Sequence, residues 1–158
     1  MIDKDGDLRL PAPALPFVAL GGAAIVAGGL VAAVTGPTDF DDGSWLAAYL
    51  VLVGGVALIA LGVGQATFAD RPPSSSTVTG QLAAWVLSTA AVAAGTLASL
   101  PVLTAVGGVI LVAVLVTFVA AVRGSGAGGR LIWLYRATIV ILLVSIPIGL
   151  VLAWQRHG

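Results

Sequence analysis

Five apolar runs, none with an acid, a lysine or a histidine in its core, dictate what this chain can become. They cover residues 17–35, 45–68, 81–99, 102–122 and 131–154. At about 1.5 Å per residue, roughly 20 apolar residues cross the 30 Å or so of hydrocarbon in a bilayer. Backbone in that medium has no water to bond, so each run is expected to close its own hydrogen bonds as a helix. The expected fold class is all-α, an integral membrane bundle of five transmembrane helices. Composition agrees. Only 9% of the 158 residues are charged, against about 25% in soluble domains, so the outward surface has to meet lipid.

The breaks between runs are polar or rich in Gly and Pro. Gly36-Pro37 opens the first, which carries Asp39, Asp41 and Asp42; Asp70-Arg71-Pro72-Pro73 and Ser74 to Thr77 form the second, read as a flexible linker. Ser99-Leu100-Pro101 is a tight turn, with proline suited to a first helical position. The fourth, between Arg123 and Arg130, is glycine-rich. Residues 1–16 are expected to be an N-terminal segment, too acidic for a secretory signal, and 155–158 a tail.

An odd number of spans puts the termini on opposite sides. Lys4, Arg9, Arg71, Arg123, Arg130 and Arg136 then fall on one side and Arg156 alone on the other. Short loops rich in Lys and Arg stay in the cytoplasm, so the N-terminus is expected inside and the C-terminus outside. The aromatic residues sit toward span ends, Phe17, Trp85 and Phe118 on one side and Trp45 and Tyr49 on the other, as an interfacial belt would.

Helices in lipid associate by close packing, which small residues permit. Gly21 and Gly28 recur at seven residues, as do Gly22 and Gly29; Gly55 and Gly62 repeat the interval, and Ala91 leads to Gly95 one turn later. These are the expected packing seams, and a seven-residue repeat implies left-handed crossings. The fourth span, poorer in small residues, is expected to face more lipid.

The chemistry this chain can perform is narrow. Intramembrane ionisable groups usually mark proton relays and ion coupling, and none lies in a span core. With no cysteine and a lone histidine, His157, at the tail, neither a thiolate nor a metal or haem site is expected. No cofactor is expected, and a zero net charge invites no nucleic acid. Gly124 to Gly129 matches a dinucleotide fingerprint in letters only, because it joins two membrane helices. Hydroxyls without a base beside them are poor nucleophiles, so no enzyme is expected. Two features invite a role. Ser88, Thr89, Thr138 and Ser145 could form a polar stripe, and Arg123, Arg130 and Arg136 could hold an anionic lipid headgroup. The function expected is a noncatalytic accessory or structural subunit packing within a larger membrane complex, or with itself, in a bacterial plasma membrane. The alternative is a small oligomeric transporter or channel for a neutral or lipid-like solute.

Overall fold

A computed structural model of the chain describes residues 10–123 together with Trp133, Tyr135, Ala137, Ile139, Val140 and Ile141. Four helices among them are long and apolar enough to cross a membrane. The first, α1 (Leu15–Thr35), follows a single 3₁₀ turn at Ala12–Ala14 and carries Pro16 in its opening turn, where a missing N–H costs nothing. The second crossing is continuous over Gly43–Phe68 but changes its winding: α2 (Gly43–Tyr49), a π-helical stretch at Leu50–Ala57, then α3 (Leu58–Phe68). The third and fourth are α4 (Ser75–Leu97) and α5 (Pro101–Ala121). The fifth run lies outside the described residues apart from the six positions named above, which are helical.

The helices run up, down, up, down as two antiparallel hairpins. In the first, Gly28 meets Ala47 and Val51, and Gly21 meets Gly55 and Ile59. That seam keeps a spacing of four residues on the second crossing. An α-helix turns about 400° in four residues, so each step overshoots by about 40° and three steps would carry the contact off the seam. The wider π turn winds less per residue and takes up that drift. The π stretch is therefore where Val51 and Gly55 must both face α1. In the second hairpin Gly107 lies against Ser88 and Val92, and Gly95 against Thr104.

Both hairpins close with the same backbone device. At the end of α4 the Ser99 N–H donates to the Thr96 carbonyl (3.2 Å) and the Leu100 N–H to that of Gly95 (2.7 Å), with Ser99 left-handed at φ 55. After α1 the Asp39 N–H donates to Gly36 (3.4 Å) and the Phe40 N–H to Thr35 (3.2 Å), with Asp39 at φ 51. These are paired 6→1 and 5→2 closures that satisfy the last carbonyls of a helix. The topology places Arg71 and Arg123 at one end of the bundle and Asp39, Asp41 and Asp42 at the other.

Three expectations change. The Ser/Thr run is not a linker: Ser74 is the N-cap of α4, its Oγ accepting from the Thr77 N–H at 3.2 Å, so the helix starts six residues before the apolar run. Phe17, Trp85 and Phe118 are not a lipid-facing belt but almost fully buried. They stack edge-on, Trp85 to Phe118 at 6.2 Å and Phe118 to Phe17 at 5.7 Å, in the core shared by the two hairpins. Finally, α5 is not the helix most given to lipid. Of its apolar stretch 39% is buried, against 17% for glycine-rich α1. Glycine lets a seam close tightly but supplies no area; the side chains Leu111, Val114, Leu115 and Phe118 do.

Candidate functional site

Among the described residues, two buried carboxamides lie where the hairpins meet. Gln65 is in the last turn of α3 and Gln81 in the second turn of α4, and both are buried. Their carboxamides pair reciprocally: Gln65 Nε2 donates to Gln81 Oε1 (3.1 Å), and Gln81 Nε2 to Gln65 Oε1 (2.9 Å). Gln81 Nε2 also donates to Thr117 Oγ1 at 3.1 Å, and that hydroxyl donates to the Val114 carbonyl at 2.7 Å. One cluster thus ties α3, α4 and α5 together. One turn above Gln81, Trp85 begins the aromatic stack, and Phe17 at its far end presses on Gly62.

Carboxamides and a hydroxyl hydrogen-bond but neither ionise nor move protons near neutral pH. Every group in the cluster has a partner within it, so its chemistry is cohesion. A buried amide without a partner is costly in hydrocarbon, which is why the two find each other.

The other sequence-derived residues are dispersed. The Ser88 hydroxyl is buried and donates to its own helix at the Trp85 carbonyl (2.9 Å). Thr89, half-buried, donates to the carbonyls of Trp85 (2.8 Å) or Val86 (3.1 Å). Thr138 and Ser145 lie outside the described residues, so the proposed stripe is seen only at these two hydroxyls, both turned to backbone. Arg123 is exposed just past α5; Arg130 and Arg136 lie outside the described residues. Among the packing positions, Gly21, Gly28, Gly55, Gly62 and Gly95 are buried and Ala91 is half-buried. The approach at Gly21 and Gly55 is reciprocal. A Cβ on either would stand 2.9 Å from the carbonyl oxygen of the other. Gly22 and Gly29 have open space instead.

Tyr135, from the start of the fifth run, is buried against Gly64 and meets Phe68 at 6.0 Å between ring centroids. Ile139, one turn on, joins the same core. Asp39, Asp41 and Asp42 are exposed.

Sequence reasoning missed the amide pair, because Gln65 lies near the end of one apolar run and Gln81 opens the next. A signal was present. The chain has three glutamines, and only these two fall inside apolar runs. Two carboxamides that must both be satisfied in lipid point to each other. No protein family, no curated protein and no solved structure matches this chain.

Proposed function

We propose that this multi-pass membrane protein is a noncatalytic structural or accessory subunit that packs with other membrane proteins in a bacterial plasma membrane. The observation that carries the reading is how its interior polar groups are used. Gln65, Gln81 and Thr117 bond to one another across three helices, and Ser88, Thr89 and Thr104 bond to carbonyls of their own helices. Among the described residues the interior carboxamides and aliphatic hydroxyls serve cohesion, while the Tyr49 and Tyr135 hydroxyls and the Trp85 indole N–H are buried without a partner. The outward surface supports the same reading: α1 is the least buried of the four described crossings, and Gly22 and Gly29 on it have open space around them, leaving a face that another helix can approach closely.

In this reading the chain has five crossings, with its N-terminus in the cytoplasm. Arg71 and Arg123 share one end of the bundle with the N-terminal side of α1, and the acidic loop is at the other, consistent with the retention of basic loops inside. A reporter fused after His157 is expected to be active only outside the cytoplasm. Activity inside would remove a crossing.

Extraction in a mild detergent, followed by mass spectrometry of the intact assembly, tests the function. Stoichiometric recovery with other membrane subunits is the expected result. Recovery as a lone homo-oligomer that moves a neutral solute across liposomes would replace the reading with that of a small transporter.

A further inference from the structure

We infer that the Gln65–Gln81 amide pair is a register lock that selects one docking position between two otherwise self-sufficient hairpins. Each hairpin is fastened internally by backbone-to-backbone approach, at Gly21–Gly55 in one and at Gly107–Ser88 in the other. These seams admit no sliding, because a shifted register would drive a side chain into a carbonyl.

The junction between hairpins is different. It is built from Phe17, Leu58 and Leu61 on one side and Trp85, Leu111, Leu115 and Phe118 on the other, with the Phe17–Phe118 edge contact crossing it at 5.7 Å. After a slide of one helical turn, about 5.4 Å, such surfaces would still set apolar side chain against apolar side chain, the Phe17–Phe118 contact being exchanged for another. Lipid supplies no hydrophobic preference between them. Among the described residues, side-chain hydrogen bonds between helices occur at this one place. A one-turn slide would part the two carboxamides: Gln81 would keep its bond to Thr117, while Gln65, bonded only to Gln81, would lose both of its bonds. The pair penalises every register but one, as a single buried polar residue does in a coiled coil.

The chain has no cysteine, so spin labels can be placed cleanly in the full-length protein. Leu52→Cys and Leu87→Cys put one label on an exposed site of each hairpin, and Leu30→Cys with Leu52→Cys puts both on the first. In the parent background both pairs are expected to give one narrow distance distribution. In Q65L/Q81L the within-hairpin distance should be unchanged while the between-hairpin distribution splits into two or more populations. Single Gln65→Leu, which orphans the Gln81 carbonyl oxygen, should also split it. One unchanged narrow between-hairpin distance in Q65L/Q81L would overturn the inference. So would loss of a monodisperse folded protein, because the pair would then be holding the fold up rather than choosing its register.

Discussion

The two hairpins reach the same close approach by different means. The first places glycine against glycine and needs a π-helical stretch to hold its every-fourth-residue seam on α1. The second uses two regular α-helices, with single glycines set against backbone: Gly107 against the Ser88 carbonyl and Gly95 against the start of α5. The difference shows that abundance of glycine does not decide burial. The first hairpin is the richer in glycine, yet α1 is the most exposed of the four described crossings, while the second carries the aromatic and aliphatic bulk of the core. Glycine determines where two backbones touch, and large side chains determine which helix lies at the centre.

The sharpest way to break this comparison is on α1 itself. Gly21→Leu should destabilise the protein by about 3 kcal/mol, because the new side chain meets the Gly55 carbonyl and Ile59. Gly22→Leu, its neighbour with open space around it, should stay within about 0.5 kcal/mol of the parent. Thermal unfolding of both variants in the same detergent reads the contrast. Equal losses would mean that α1 does not use one glycine face for the seam.

In the second hairpin the equivalent probe is gentler. A Cβ at Gly107 would lie 2.8 Å from both the Ser88 carbonyl oxygen and the Val92 amide nitrogen. Neither backbone atom can yield without moving its helix. Gly107→Ala should therefore cost about 2 kcal/mol. Gly29→Ala on the open face of α1 should be neutral, or stabilising by up to about 1 kcal/mol through helix propensity. If Gly107→Ala proved harmless, α4 and α5 would be held by their side chains alone.

Much of this contrast was legible in the sequence and some of it was not. Thr35 and Phe68 were placed correctly as helix ends, and Pro101 as a helix start, because proline and the end of an apolar run are local signals. The heptad spacing exposed two glycine sets on α1, 21/28 and 22/29. Periodicity is blind to which of two equally spaced sets faces the partner. The burial of Trp85 and Phe118 was hidden for a related reason: distance along a span gives depth in the membrane, whereas facing is set by neighbours. Gln65 and Gln81 are 16 residues apart in sequence, and their pairing follows only once α3 and α4 are known to be adjacent. The start of α4 was missed because Ser74 and Thr77 read as linker by composition, although their spacing is that of an N-cap acceptor and the first-turn N–H that donates to it.

That cap gives the next prediction. Ser74→Ala removes the acceptor for the Thr77 N–H and should cost about 1 kcal/mol. Amide exchange should quicken over the first turn of α4 and stay unchanged at the start of α5, which has no side-chain cap to lose. Uniform protection in the variant would mean that packing of Val78, rather than the serine, holds that turn.

The smallest expected effect separates the two turns. Ser99 and Asp39 each occupy a left-handed position that glycine would fill without strain. A residue with a Cβ pays roughly 1–2 kcal/mol there, but aspartate offsets part of it by bonding locally with its short polar side chain. Ser99→Gly should therefore stabilise the second hairpin by about 1 kcal/mol, and Asp39→Gly the first by only a few tenths. Melting temperatures of the two variants measured side by side give the order. The reverse order would mean that the serine is relieved by its surroundings and the aspartate is not. The closures, alike in their hydrogen bonds, would then differ in which hairpin stores the strain.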